Sequence, residues 1–297
     1  MRICRFTGPD GTPRLGVIGE DRVSVLPVSS LGALLQELEA APGAAYARLE
    51  AASTAPPVCA WSALEMGTAS RYRLLPPLDD QEVWAAGVTY ERSARAREDE
   101  SQQSGIYDRV YAAARPEIFF KAAASRTVGS GDAVYIRSDA RWNVPEPELA
   151  LLVGPKGTIL GYTVGNDVSS RDIEGANPLY LPQAKVYARC CGLGPAIRLR
   201  QGGPDPLALA IHLRIEREGA IVFSGDTSTA RMKRTPEELV RYLMLDNVFA
   251  QGAYLLTGTG IVPGDDFTLE AGDDITISID GVGALRNRVE RAPGAGV

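Results

Sequence analysis

The chain contains a single histidine, His212, among its 297 residues. It lies in a stretch where leucine and isoleucine alternate with other residues, so on a strand it would share the polar, outward face with Arg214 and Glu216. One outward histidine excludes a Ser-His-Asp triad and a histidine-rich metal site. If the protein is an enzyme, carboxylates, lysine and a metal ion must carry the chemistry.

Other common features are also missing. The four cysteines form no C-x-x-C pair, which argues against a zinc site or a disulfide framework and indicates core thiols in a reducing cytoplasm. No window approaches about eighteen uncharged apolar residues, so we expect no transmembrane helix, and the first residues lack the apolar core of a signal peptide. The net charge of −6 argues against a nucleic-acid or anionic-membrane partner.

The chain is predicted to contain two domains. Residues 1–78 read as a small N-terminal α+β domain, with short strands separated by Gly/Asp turns, then two helical stretches. Leu75-Pro76-Pro77-Leu78 is the best linker, and residues 79–297 form the second, larger domain. Near its end, a T-x-x-E capping box beginning at Thr235 predicts a helix that runs to about Ala250.

Three carboxylates are placed to converge. On a strand, the two-residue side-chain period would direct Glu146 and Glu148 to the same face. After a Gly/Pro turn, the apolar segment from Thr158 to Val164 can pair back and bring Asp167 beside them. Converging carboxylates repel one another unless a cation lies between them. Oxygen-only ligands favour Mg²⁺, with Mn²⁺ or Ca²⁺ as alternatives, although on spacing alone an E-x-E pair is more typical of a solvated strand face.

A strand from Arg115 to Lys121 would place Glu117, Phe119 and Lys121 on one face. The aromatic side chain between them favours partial burial over a solvated ion pair. The preceding segment, within residues 91–115, predicts a charged helix whose Gln/Ser/Gly break would also suit a mobile lid. The chain has no dinucleotide loop, no Walker-type loop and no G-x-S-x-G elbow.

Several motifs, in their order along the chain, resemble the fumarylacetoacetate hydrolase superfamily. They are Glu146-Pro147-Glu148-Leu149, the segment Gly161 to Asp172 (GYTVGNDVSSRD), Lys185, Gly192-Leu193-Gly194-Pro195 and Leu256-Thr257-Gly258-Thr259. The resemblance covers the whole chain and is most specific from Trp84 to Asp274. It implies an α+β, β-rich fold in which the N-terminal domain is followed by a mixed β-sandwich or roll. It also implies a homodimer or a dimer of dimers.

The same resemblance implies the site. It places the metal ion on Glu146, Glu148 and Asp167, and it brings Lys185, Arg171 and Thr257 to the ligand. The chain also departs from the hydrolases of the family. Where these carry the histidine of a water-activating dyad, this chain has Ser93; Glu174 replaces a common glutamine, and Glu117 occupies a usually apolar position.

These departures look like the 2-keto-3-deoxypentonate dehydratase branch of the family. The implied activity is that of a metal-dependent carbon–oxygen lyase (a hydro-lyase), which converts a 2-keto-3-deoxypentonate of the D-arabinonate type to 2,5-dioxopentanoate in pentose oxidation. Lys185 is the candidate base for the C3 proton, and Glu117 is the candidate acid for the C4 hydroxyl. The base role requires a neutral amine, which burial and a nearby cation favour. Four residues are predicted to orient the substrate: Ser93, Lys121, Arg171 and Thr257.

Two alternatives stay open. One is an acylpyruvate- or fumarylacetoacetate-type C–C hydrolase, or an oxaloacetate decarboxylase, on the same scaffold; the missing histidine disfavours it. The other is a catalytically silent relative whose metal ion only stabilises the fold. The C4 epimer of the substrate, the native metal, and the choice between dimer and tetramer are not fixed by the sequence.

Overall fold

The computed structural model describes residues 1–91 and 106–294. The strands in these residues are β1 Arg2–Thr7, β2 Pro13–Gly19, β3 Arg22–Val25, β4 Cys59–Ala60, β5 Arg73–Leu75, β6 Glu82–Gly87, β7 Glu117–Ala122, β8 Thr127–Val128, β9 Ala133–Ile136, β10 Asn143–Val144, β11 Pro147–Val153, β12 Ile159–Asp167, β13 Ser169–Ser170, β14 Cys191–Leu199, β15 Ala210–Arg217, β16 Ala220–Ser228, β17 Ala253–Leu256, β18 Asp274–Ile279 and β19 Gly283–Arg291. The α-helices are α1 Leu31–Ala40, α2 Pro42–Ser53, α3 Trp61–Glu65, α4 Ile106–Ala112, α5 Arg171–Ala176, α6 Leu181–Lys185 and α7 Pro236–Met244.

Twelve strands form one large sheet in the order β4-β3-β2-β1-β14-β12-β11-β17-β6-β7, with β5 beside β1 and β8 beside β14. The N-terminal strands join the rest of this sheet through β1, where Arg2 and Ile3 pair with Arg198 and Ile197 of β14. The first 75 residues and the later strands therefore share backbone hydrogen bonds. The domain boundary at residue 78 remains a prediction.

A five-stranded sheet, β16-β15-β18-β19-β9, packs against one face of the large sheet. Because side chains alternate along a strand, β11 contributes to two cores. Leu149 and Leu151 pack in the core with the five-stranded sheet, whereas Ala150 and Leu152 pack in the core that includes α1 and α2. The strand-rich α+β architecture predicted from the sequence is confirmed.

Two local predictions can be compared directly with these elements. His212 lies on β15 with an exposed side chain, as the alternation indicated. Thr235 caps α7 by accepting a hydrogen bond from the Glu238 N–H at 3.1 Å, but the helix ends at Met244 and not near Ala250. Asp246 and Asn247 follow, both poor helix formers whose side chains compete for backbone groups. The Asn247 side chain accepts a hydrogen bond from the N–H of the next residue.

No helix in the described ranges is both long and apolar enough to cross a membrane. The lid predicted within residues 91–115 falls largely on residues 92–105, which lie outside the described part of the chain, as does Ser93.

Candidate active site and metal centre

The β11–β12 hairpin brings the three predicted carboxylates together. Glu148 pairs with Gly165 in its register, and the Asp167 N–H donates to the Glu146 carbonyl at 3.0 Å just before β11 begins. Residues opposite each other on antiparallel strands point to the same face. One carboxylate oxygen from each of Glu146, Glu148 and Asp167 lies within 4.8 Å of the other two, and all three side chains are buried. The convergence predicted from the sequence is therefore present.

Each carboxylate has one oxygen held by the surrounding protein. The contacts are Arg171 Nη2 to Glu146 Oε1 at 2.8 Å, the Gly258 N–H to Glu148 Oε2 at 2.5 Å, and Lys121 Nζ to Asp167 Oδ1 at 2.6 Å. Such partners fix the orientation of a carboxylate before a metal ion arrives. The partners Arg171 and Lys121 carry a positive charge, whereas the partner of Glu148 is a neutral backbone N–H group.

Lys185 lies on the inner side of the cluster. Its fully buried ammonium contacts Glu146 Oε2 at 2.7 Å and Asp167 Oδ2 at 3.1 Å, and it donates to Ser169 Oγ at 2.6 Å. These carboxylate oxygens are not those bound by Arg171 and Lys121. Helix α6 ends at Lys185, and this places the side chain between the carboxylates and the Phe119 ring, whose centroid is 5.8 Å from Nζ. An amine at this position lies beside any group that the carboxylates bind.

The electrostatics of the cluster favour a bound cation. Burial raises the pKa of Glu148 well above its usual range, and the neighbouring Asp167 and Glu146 raise it further; Lys185 and the Gly258 N–H act in the opposite direction. A divalent cation among the carboxylates would stabilise the ionised form of Glu148. The donor set consists of carboxylate oxygens, which Mg²⁺, Mn²⁺ and Ca²⁺ prefer. The residues therefore fit a hard divalent metal ion.

A small cleft with a volume of about 10 Å³ opens onto the carboxylates. Its lining consists of Ala86, Gly87, Val88, Phe119, Glu146, Glu148, Asp167, Gly258 and Thr259. A cavity of about 10–15 Å³ on this measure holds about one water molecule, so the cleft has room for a metal ion or a water molecule beside the carboxylates. The end of β6, the centre of β7 and the turn after β17 supply the walls that the hairpin does not.

Glu117 begins β7 opposite Gly87, the last residue of β6. An ideal Cβ on Gly87 would lie only 1.9 Å from Glu117 Oε2. The carboxyl group thus occupies the space that a larger residue at position 87 would fill, directly beside the cleft. Glu117 is half-buried, which matches the setting expected of a general acid.

Residues 82–290 match the family "Fumarylacetoacetate (FAA) hydrolase C-terminal". The chain belongs to the fumarylacetoacetate hydrolase family. A curated relative from Haloferax volcanii, named "Probable 2-keto-3-deoxyxylonate dehydratase", is 51% identical over 213 residues, which cover 72% of this chain and 73% of that protein. The 2-dehydro-3-deoxy-D-arabinonate dehydratase of Saccharolobus solfataricus is 46% identical over 224 residues, which cover 74% of this chain and 75% of the relative.

Solved structures of this family extend the likeness to almost every residue. A 2-keto-3-deoxy-D-arabinonate dehydratase complexed with magnesium and 2,5-dioxopentanoate is 36% identical, with a TM-score of 0.84 over 99% of this chain and 100% of the other. The apo form of such a dehydratase is 37% identical, with a TM-score of 0.85 over the same shares of the two chains. The family fold predicted from the motifs is therefore confirmed.

Within this family fold, the predicted substrate-orienting residues are placed differently. Arg171 is 1% exposed, and its guanidinium contacts Glu146. The Thr257 hydroxyl donates to the Leu149 carbonyl at 2.9 Å, and the Thr257 carbonyl accepts from Thr89 Oγ1 at 2.6 Å. Both residues therefore support the carboxylates or the strands that carry them, and their contact with a substrate remains a prediction.

Lys121 lies against Asp167. Its ammonium is fully buried and contacts Asp167 Oδ1 at 2.6 Å, the Val168 carbonyl at 2.9 Å and the Lys185 carbonyl at 2.5 Å. Burial lowers the pKa of Lys121, but Asp167 together with Cys190, Tyr187 and Cys191 more than offsets burial, and the pKa is raised above its ordinary value. Three protein acceptors match the three hydrogens of an ammonium. The structure thus brings Lys121 to Asp167, a metal-ligand candidate.

Three contributors to the site were not found from the sequence. Gly258 supplies an N–H to Glu148, Ser169 supplies a hydroxyl to Lys185, and Gly87 leaves room for Glu117. Gly258 lies in the Gly/Thr turn after β17, and no pattern in the sequence links this turn to Glu148. The spatial partners of Ser169 and Gly87 depend on pairings that the sequence does not specify.

Proposed function

We propose that this protein is a Mg²⁺-dependent dehydratase that converts a 2-keto-3-deoxypentonate of the D-arabinonate type to 2,5-dioxopentanoate. The observation that carries the proposal is a buried triad of carboxylates, with the Lys185 amine in contact with two of them and the Glu117 carboxyl group beside Gly87 of the cleft wall, in a chain 46% identical to a 2-dehydro-3-deoxy-D-arabinonate dehydratase. The reaction needs such an arrangement, because it requires removal of a proton from C3 and protonation of the departing C4 hydroxyl.

Glu146, Glu148 and Asp167 are the proposed ligands of the metal ion. Each has one oxygen oriented by Arg171, the Gly258 N–H or Lys121, so the ligand set is arranged in advance. Bound there, Mg²⁺ would act as a Lewis acid toward the 2-keto group and the carboxylate of the substrate. Mn²⁺ and Ca²⁺ are the alternative ions.

Lys185 is the proposed base. It lies beside the carboxylates on the inner side of the cluster and accepts the proton from C3 in its neutral form. Glu117 is the proposed acid, which protonates the C4 hydroxyl as it leaves as water. Return of a proton to C3 and loss of one from C5 then move the double bond, and the resulting enol tautomerises to the aldehyde at C5. The sum is loss of one water molecule, with no oxidation or reduction.

The remaining predictions belong to this proposal. Ser93, Arg171 and Thr257 are proposed to orient the carboxylate and hydroxyl groups of the substrate directly or through their neighbours. The partner is a small 2-keto acid. The protein is proposed to form a homodimer or a dimer of dimers and to act in pentose oxidation in the cytoplasm. Residues 1–78 are proposed as a distinct N-terminal domain.

The test is a substrate panel. EDTA-treated protein with and without Mg²⁺ is incubated with 2-keto-3-deoxy-D- and L-pentonates, and 2,5-dioxopentanoate is assayed. Acylpyruvates and oxaloacetate are the comparison substrates, since a human oxaloacetate tautomerase is 30% identical to this chain over 187 residues. We expect Mg²⁺-dependent 2,5-dioxopentanoate from one epimer at least. Turnover of acylpyruvates or oxaloacetate alone would replace the dehydratase with a hydrolase or decarboxylase, and no turnover at all would leave a silent relative.

A further inference from the structure

Lys121 contacts both a proposed metal ligand and the backbone of the proposed base. On one side its ammonium contacts Asp167 Oδ1 and the Val168 carbonyl, at the end of β12. On the other it donates to the carbonyl of Lys185, the last residue of α6. One buried group on β7 therefore holds both a metal-ligand candidate and the backbone of the proposed base. These segments are separated by 18 residues in the chain.

The geometry at Asp167 explains what this contact achieves. A carboxylate has two oxygens, and Lys121 binds Oδ1 of Asp167 whereas Lys185 contacts Oδ2; one oxygen of this carboxylate lies within 4.8 Å of oxygens of Glu146 and Glu148. Binding one oxygen fixes the rotation of the carboxylate about its last bond. With Oδ1 held by Lys121, the Asp167 carboxylate keeps its orientation toward Glu146 and Glu148 in the metal-free protein.

We propose that Lys121 is a positioning residue that orients Asp167 for the metal ion and fixes the distance between Asp167 and Lys185, and that it does not contact the substrate. This inference rests on the proposed metal site, but not on the identity of the substrate. A residue that contacted the substrate would need a donor directed into the cleft. Two of the three acceptors of Lys121 are backbone carbonyls, which a metal ion at the carboxylates would not displace, so all three hydrogens of its ammonium stay occupied by protein atoms.

The test is metal binding without substrate. Mg²⁺ is titrated by calorimetry into EDTA-treated wild type, Lys121→Met and Thr163→Val. Methionine keeps much of the volume of the lysine stem and removes the ammonium. Thr163 is the matched control, because it lies on the same strand as Asp167 and loses one buried hydrogen bond, from Oγ1 to the Ala196 carbonyl at 2.8 Å, with no contact to the carboxylates.

We expect the Kd for Mg²⁺ to rise by about 10–100-fold in Lys121→Met, the loss typical of removing a partner that orients a metal ligand. It should change less than twofold in Thr163→Val. If the protein turns over a substrate, kcat should fall in Lys121→Met at saturating Mg²⁺ while the KM for the substrate stays within a few-fold of wild type. A Kd for Mg²⁺ that is unchanged in folded Lys121→Met would overturn the proposal, as would a large rise in the substrate KM alone.

Lys121→Arg is the second variant, in case methionine prevents folding. It keeps a positive charge and several donors beside Asp167 but changes their geometry. A weakened Kd for Mg²⁺ that exceeds the effect of Thr163→Val supports positioning; a Kd equal to that of wild type, together with altered substrate KM, contradicts it. Because the titration contains no substrate, a failed dehydratase assay would leave this result interpretable by itself.

Discussion

Gly87→Ala should impair catalysis by displacing a single carboxyl group. A Cβ at position 87 would lie 1.9 Å from Oε2, 2.6 Å from Cδ and 3.3 Å from Cγ of Glu117, and these are its three nearest atoms. Ordinary contacts begin at 3.4 Å, so Oε2 must move by about 1.5 Å while the backbone can stay in place. Misplacing a reacting group by about 1 Å can cost about 10²-fold in rate. We therefore expect kcat to fall by about 10²-fold.

The assay separates this steric effect from general damage. Mg²⁺ affinity should be unchanged in Gly87→Ala, because none of the nearest atoms belongs to the carboxylate triad. In a Glu117→Ala background, where no carboxyl group remains to be displaced, adding Gly87→Ala should reduce kcat no further. Gly19→Ala is the control, since a Cβ there meets only the Ser53 carbonyl at an ordinary 3.8 Å. Additive losses in the double variant, or full activity in Gly87→Ala, would refute the reasoning.

Three further predictions follow from the same contacts. The pKa of Glu148 is raised in the folded, metal-free protein. Glu148 therefore contributes stability below the ordinary glutamate pKa of about 4.3, and this contribution is lost as pH rises through the raised pKa. Urea denaturation of the metal-free wild type should show this fall in stability, and Glu148→Gln should abolish the fall. Lys185→Met should lower turnover by about 10²–10⁴-fold. The same variant should bind Mg²⁺ more tightly in calorimetry, because an ammonium no longer contacts Glu146 Oε2 and Asp167 Oδ2; weaker Mg²⁺ binding would contradict this reasoning. Gly258→Ala should destabilise the protein by about 2 kcal/mol or more, since φ is +88° and a Cβ would lie 2.0 Å from Thr89 Oγ1; unfolding curves that match those of wild type would disprove it.

The carboxylate triad could be predicted because it depends on local rules. Strand alternation placed Glu146 and Glu148 on one face, and the Gly/Pro turn implied that the next strand would return with Asp167. The capped start of α7 at Thr235 follows equally from neighbouring residues. Each of these inferences spans few residues or one hairpin, so sequence patterns suffice.

The partners of the triad could not be predicted, because they come from distant parts of the chain. The sequence showed which face of β7 carries Lys121. It did not show that the Lys121 ammonium would donate a hydrogen bond to the Val168 carbonyl, 47 residues further along the chain. Similarly, the Gly258 N–H reaches Glu148 across 110 residues. A side chain's face follows from periodicity, whereas its contacts follow from the order in which strands pair. This is why the contact of Lys121 with Asp167 was not predicted from the sequence.

The most direct test of the central claim combines metal titration with turnover in the same samples. Mg²⁺ is added stepwise to EDTA-treated wild type and Glu148→Gln with the active 2-keto-3-deoxypentonate epimer, and bound Mg²⁺ and 2,5-dioxopentanoate are measured at each step. We predict that product formation in wild type rises in proportion to one bound Mg²⁺ per chain, and that Glu148→Gln shows neither tight binding nor product at the same concentrations. Undiminished product formation in EDTA, or in Glu148→Gln, would contradict the claim that these carboxylates hold the catalytic metal ion.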